Sequence, residues 1–116
     1  MSLEKSEDKI QQEIVQWFTN NYCLKHHSPR SIIFSIPNGG FRNKIEAMKL
    51  KATGLLAGAS DLVLIHRGKV YFIELKDATG TQQSNQKEFQ SRLAENGQQY
   101  FIFRELIEFQ KFVLSL

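Results

Sequence analysis

Two short apolar segments on either side of Arg67-Gly68 restrict the fold more than any other feature of this 116-residue sequence. Residues 61–66 and 69–76 are rich in valine, isoleucine and phenylalanine, which favour β-strands. Two residues that include a glycine are the usual length of a tight hairpin turn. The pattern therefore predicts an antiparallel hairpin, and its register decides which side chains share a face.

This hairpin would bring three charged side chains together. A turn at residues 67 and 68 places Asp61 opposite Glu74, whereas a turn one residue later places Asp61 opposite Lys76, with Glu74 on the diagonal. Because side chains alternate between the faces of a strand, both registers put Asp61, Glu74 and Lys76 on one face. A three-residue turn would separate them.

The three residues together favour metal-dependent hydrolysis of phosphodiester bonds. Two carboxylates at opposed positions lie roughly 5 Å apart and repel by about 3 kcal/mol at an effective dielectric constant of ~20. Lys76 offsets part of this repulsion, and a divalent cation offsets more. The cation would activate water, and Lys76 would orient that water or stabilise the developing negative charge. A structural salt bridge is the alternative, because this short pattern often arises by chance.

The rest of the chain reads as alternating helices and strands. Apolar periodicity and the glycine and proline breaks predict helices over residues 6–22, 43–53, 83–96 and 105–114, with Ser6 as the first N-cap. Strands are predicted over residues 31–36, 61–66, 69–76 and 98–103. The order αβαββαβα indicates one α/β domain over residues 1–116, with a mixed sheet flanked by helices.

Two of the predicted helices carry polar residues that could complete the site. Gln82 and Gln86 lie at the start of the third helix, on the face of the apolar Phe89. An amide there could hold a carboxylate or a water molecule; Gln86 is the favoured candidate, and Gln82 fits a solvent position equally well. On the first helix Glu7 could supply a further carboxylate, and Glu13 is the alternative if the helix is oriented differently.

Composition and charge narrow the class of protein. Hydrophobic residues make up 41% and charged residues 23%, which is ordinary for a soluble globular domain. The formal charge of +3 permits a polyanionic partner without proving one. Residues 1–10 show no secretory signal, the apolar runs are too short to span a membrane, and Cys23 has no disulfide partner. A cytoplasmic location is the expectation.

A series of short motifs in this order resembles one nuclease family. They include Ile14-Val15-Gln16-Trp17, Ile36-Pro37-Asn38-Gly39-Gly40, Gly58-Ala59-Ser60-Asp61-Leu62, Phe72-Ile73-Glu74-Leu75-Lys76 and Ser84-Asn85-Gln86. Over residues 7–103 the chain resembles the VRR-NUC branch of the PD-(D/E)XK nucleases, in its short stand-alone form. Ser60 departs from the family, which usually has proline before the aspartate.

The resemblance implies a restriction-endonuclease-like fold and a Mg²⁺- or Mn²⁺-dependent DNA endonuclease. Asp61 and Glu74 would be metal ligands, Lys76 the catalytic lysine, and Glu7 and Gln86 supporting residues, with Glu7 also as a third metal ligand. Stand-alone members resemble Holliday-junction resolvases that act on branched DNA as homodimers. Symmetry suits this assembly, since a two-fold dimer presents two active sites to a junction.

The candidate DNA-contacting residues are basic side chains on the second helix and the glycine-rich turn before it. They are Asn38, Gly39, Gly40, Arg42, Lys44, Lys49 and Lys51. A solvated helix face is the alternative for the lysines. Three other functions remain open from the sequence: a catalytically inactive nucleic-acid-binding module, an assembly protein, and a nuclease for RNA, single strands, flaps or duplex ends.

Overall fold

The computed structural model describes residues 5–37 and 43–116. The helices are α1 (Glu7–Tyr22), α2 (Lys44–Ala52), α3 (Ser84–Glu95) and α4 (Leu106–Leu114), and the strands are β1 (Ile32–Ser35), β2 (Leu62–His66), β3 (Lys69–Leu75) and β4 (Gln99–Phe103). The predicted order of elements is confirmed, and each bound agrees to within one residue. Ser6 caps α1 as expected, since its side chain accepts a hydrogen bond from Lys9 N.

The four strands form one mixed sheet in the order β1-β2-β3-β4. β1 pairs with β2 and β2 with β3 in antiparallel fashion, whereas β3 and β4 are parallel. A parallel pair needs a long crossover connection, and α3 provides it between β3 and β4. The α/β class and the mixed sheet are therefore confirmed.

The β2–β3 hairpin adopts the first of the two registers considered from the sequence. His66 pairs with Lys69, and the register continues to Leu62 opposite Ile73. Arg67 and Gly68 form the turn, both with positive φ (51° and 80°), as a type I′ hairpin turn requires. One further step outward along the register sets the residue before β2, Asp61, against Glu74 of β3.

The two faces of the sheet have different coverings. On one face α1 and α4 bury an apolar core to which Ile14, Phe18, Leu64, Ile73 and Phe109 contribute fully buried side chains. The opposite face carries Phe72 and Tyr100, which pack on Phe89 of α3. Since Glu74 lies two residues after Phe72, the predicted site is on the α3 side of the sheet.

His66 belongs to the buried core, although it ends a strand at a hairpin. It is 4% exposed, its Nδ1 lies 2.7 Å from Ser31 Oγ, and its ring packs against Phe18 and Tyr22. Burial, followed by the charge of Arg67, lowers the pKa of His66 below its usual value. Burial thus favours the neutral form of the imidazole.

The second helix, like α3, has no buried residue. Ile45 and Met48 are more than half exposed. In the described ranges, no helix combines the length and the apolar character that crossing a bilayer requires.

Candidate active site

Asp61, Glu74 and Lys76 lie at one end of the central strand pair. Asp61 is half-buried just before β2, and its Oδ2 accepts a hydrogen bond of 2.7 Å from the backbone N–H of Leu75. Glu74 is 2% exposed and Lys76 6% exposed. The hairpin register therefore brings the three residues together, as the sequence predicted, but within the protein rather than on its surface.

The carboxyl group of Glu74 is electrostatically strained. Its Oε1 is buried and has no hydrogen-bond partner within residues 5–37 and 43–116. Burial, which penalises the charged form, raises the pKa of Glu74 to about 9. Asp61 raises it as well, because protonated Glu74 can donate a hydrogen bond to Asp61 and because two negative charges repel; Lys76 acts in the opposite direction.

Gln86 connects the lysine to the glutamate. Its Oε1 accepts hydrogen bonds from Lys76 Nζ at 2.8 Å and from the backbone N–H of Gln83 at 2.9 Å. Its Nε2 donates to Glu74 Oε2 at 3.3 Å. The bond to Gln83 is half of the capping box that begins α3, so the start of the helix fixes the orientation of the amide.

The two candidate glutamates of α1 have different surroundings. Glu13 forms a 2.7 Å ion pair with Lys5. Glu7 lies near the site: burial raises its pKa, Lys76 lowers it, and Asp61 raises it. The structure thus brings Glu7, and not Glu13, into the electrostatic field of the catalytic candidates.

Tyr100 is a neighbour of the site that the sequence did not indicate. Its hydroxyl accepts a hydrogen bond of 3.3 Å from Gln82 Nε2, which also donates to Gln90 Oε1 at 2.9 Å. Burial raises the pKa of Tyr100 to about 12, an effect that Gln82 opposes and that the Glu74 carboxylate reinforces. Only the parallel pairing of β4 with β3 brings Tyr100 here, so no local pattern could have revealed it.

Gly58 sets the distance between the Asp61 segment and α3. It has a φ of +85°, and a Cβ at this position would overlap the backbone carbonyl of Asn85. The chain before Asp61 therefore packs backbone to backbone on the first turn of α3, one residue from Gln86. Such an approach is possible only for glycine.

Known proteins resemble this chain in three-dimensional structure. No model of a known protein family matches the chain, and no curated protein matches it. A solved structure described as a VRR_NUC domain protein is similar with a TM-score of 0.73 and 23% identity, over 99% of this chain and 88% of the other. A second, described as a VRR_NUC domain, has a TM-score of 0.60 and 17% identity over 92% of both chains. The chain has the VRR-NUC fold.

In this VRR-NUC fold, the carboxylates of Asp61 and Glu74 fit a divalent cation. A cation would satisfy the unpartnered Glu74 Oε1 and replace the proton that burial favours on Glu74. Across residues 5–37 and 43–116, no three side chains of His, Cys, Asp or Glu are grouped as metal ligands, so Glu7 does not complete a preformed three-residue set. Mg²⁺ suits such a pair, because it is usually bound by one or two carboxylates and keeps several waters.

The structure locates some of the predicted DNA-contacting residues. Lys44, Lys49 and Lys51 are exposed on α2. Asn38, Gly39, Gly40 and Arg42 lie outside the described residues. Contact with DNA by either group therefore stays a prediction.

Proposed function

We propose that this chain is a divalent-metal-dependent endonuclease that hydrolyses DNA phosphodiester bonds. The observation that carries the proposal is the carboxylate pair of buried Glu74 and half-buried Asp61, in which Glu74 Oε1 has no hydrogen-bond partner among the described residues. Burying an unpaired carboxylate costs free energy of folding, and strongly shifted pKa values concentrate at functional sites. A carboxylate pair of this kind therefore favours a catalytic role over a structural salt bridge.

Asp61 and Glu74 are the residues that would hold Mg²⁺ or Mn²⁺. When bound, the cation supplies Lewis-acid activation of water and neutralises charge on the phosphate. The chain orients both ligands in advance. Leu75 N–H donates to Asp61 Oδ2, and Gln86 Nε2 donates to Glu74 Oε2. Such supporting hydrogen bonds typically tune the affinity and geometry of a metal site.

Lys76 is the residue that acts on the water or the phosphate. Its ammonium group has three N–H donors, and one of them is directed to Gln86 Oε1. The other two remain for the attacking water or for the negative charge that develops on the phosphate. Because Lys76 is 6% exposed, its charge is screened less than that of a surface lysine. Glu7 would act as a supporting carboxylate from α1.

The substrate and the assembly form the finer part of the proposal. Exposed Lys44, Lys49 and Lys51 on α2 are suited to phosphate contact, and residues 38–42 directly precede them. We assign branched DNA as the substrate and a homodimer as the active form. This assignment rests on the sequence resemblance and on the two-fold symmetry of a junction.

A cleavage assay with matched lysine variants tests the proposal. Labelled four-way junction, flap and linear duplex DNA are incubated with the protein in Mg²⁺, Mn²⁺ or EDTA. Lys76→Met keeps the buried volume but removes the donors, and we expect it to slow cleavage by roughly 10²- to 10³-fold. Lys87→Met changes an exposed lysine of α3 and should leave the rate unchanged.

The outcomes separate the alternatives. Metal-dependent cutting that Lys76→Met slows to this extent supports the nuclease, and sedimentation of the active species tests the homodimer. Binding of DNA without cutting in any metal would favour an inactive nucleic-acid-binding module. Neither binding nor cutting would favour an assembly protein.

A further inference from the structure

A cavity of about 470 Å³ lies beside the carboxylates, between α2, α3 and the end of β1. Apolar side chains form most of its wall, with one hydroxyl among them. The residues that the argument uses are Ile36, Leu50, Thr53, Phe72 and Phe89. None of these residues has a role in the proposed cleavage step.

Residues of the cavity wall are neighbours of residues of the candidate active site. Ile36 follows β1, and its N–H donates to the carbonyl of Asp61 at 2.9 Å. Phe72 precedes Glu74 by two residues on the same face of β3, and Phe89 follows Gln86 by three residues on α3. Two residues along a strand span about 7 Å, so the cavity begins roughly one nucleotide-sized step from the carboxylates.

The chemistry of the wall suits a flat aromatic group. The half-buried rings of Phe72 and Phe89 have centroids 5.9 Å apart and an interplanar angle of 77°, so a planar ring that lies on one meets the edge of the other. The hydroxyl of Thr53 already donates to backbone carbonyls of α2. The wall thus offers stacking surfaces and little hydrogen-bonding readout.

We propose that this cavity holds one unstacked base of the nucleic-acid strand that is cut. The inference rests on the proposed function, because a phosphate at Asp61 and Glu74 brings the base of an adjoining nucleotide to the cavity mouth. Leu50 lies between Lys49 and Lys51 in sequence, and these exposed lysines can hold the flanking phosphates. The occupant is a base rather than a protein side chain, because basic residues border an aromatic wall.

This site would make the enzyme selective for DNA structure and not for sequence. Moving a base out of a duplex costs unpairing and unstacking free energy, and the cost is smallest where the base is already unpaired. Every base has a flat face for stacking, so Phe72 and Phe89 would not discriminate among the four bases. Flaps, which expose unpaired nucleotides, and branch points, where base stacking is interrupted, would be preferred over intact duplex.

A binding assay that removes the base and the ring separately tests the proposal. Fluorescence anisotropy in EDTA compares a DNA with a short single-stranded flap and the same DNA with abasic flap residues. We expect about tenfold weaker binding of the abasic DNA by the unmodified protein, as the loss of one stacked base implies. Phe89→Leu should bind both DNAs equally. Phe112→Leu, which changes a half-buried phenylalanine against Phe101 and Phe103, should retain the tenfold difference.

A second variant keeps the test valid if Phe89→Leu does not fold. Leu50→Phe fills the cavity from α2, where no residue is buried, and should also remove the difference between the two DNAs. An unchanged tenfold difference in both variants, or no difference in the unmodified protein, would overturn the proposal. Cleavage is not required for this readout. If the protein does not cleave DNA but still binds the abasic DNA more weakly, the proposed function fails while the base site is still observed, so the two results can be told apart.

Discussion

Replacing Glu74 with glutamine should remove the loss of stability that the metal-free protein shows as the pH rises. Burial raises the pKa of Glu74 to about 9, so the folded protein keeps a proton that the unfolded chain releases near its ordinary value of 4.5. Between these values the unfolded state binds fewer protons, and stability is lost as the pH rises. Glu74→Gln cannot titrate and is free of this loss.

The magnitude follows from the linkage relation. One proton bound only by the folded state changes the free energy of unfolding by about 1.4 kcal/mol per pH unit. From pH 6 to pH 8 the unmodified protein should therefore lose up to ~2.7 kcal/mol relative to Glu74→Gln. The full value would need complete retention of the proton, and reorganisation around the unpartnered Oε1 reduces it.

Urea unfolding in EDTA at several pH values measures this difference. Glu88→Gln, an exposed glutamate of α3, is the matched control and should follow the unmodified protein. Adding Mg²⁺ at pH 8, at a hundredfold excess over its dissociation constant, should raise the free energy of unfolding of the unmodified protein by about 2.7 kcal/mol. Glu74→Gln should gain no such stability. Parallel pH curves for the unmodified protein and Glu74→Gln in EDTA would refute the reasoning.

Three further variants test other parts of the structure. Gly58→Ala should lower the free energy of unfolding by about 1–3 kcal/mol more than Gly68→Ala, and it should also slow cleavage. Gly68 is the matched control because it has a similar positive φ but open space around it in the described structure. Equal effects of the two variants would show that the close approach to α3 is unimportant. Gln86→Leu, which removes the acceptor of the lysine and a donor to the glutamate, should reduce the single-turnover cleavage rate about 10- to 100-fold, while Gln90→Leu should not; similar rates for both would argue against positioning by the amide. Burial lowers the pKa of His66, so as the pH falls through about 6.5 the imidazole is protonated in the unfolded chain before it is protonated in the folded protein. The free energy of unfolding should therefore drop by up to ~1.4 kcal/mol per pH unit. In the same unfolding assay, the stability of His66→Gln should depend less on acid pH.

The local pattern of residues was sufficient to predict the helices, the strands and the central hairpin. Alternation in β2 and β3 placed Asp61 and Glu74 on one face for both two-residue turns considered, and the structure has the turn at Arg67 and Gly68. Gln86 was selected because it lies early on the apolar face of α3. These inferences needed only the periods of strand and helix, which are properties of neighbouring residues.

Burial and long-range pairing, in contrast, were decided by the tertiary structure. The raised pKa of Glu74 depends on the elements that exclude water from it, and Tyr100 reaches the site only through the parallel pairing of β4. The packing of Gly58 on Asn85 and the cavity at Phe72 and Phe89 likewise join segments far apart in the chain. The periodicity of a helix or strand specifies the face of its own element on which a side chain lies. The electrostatic environment of that side chain depends on the other elements that pack against it, and the whole fold determines which elements those are.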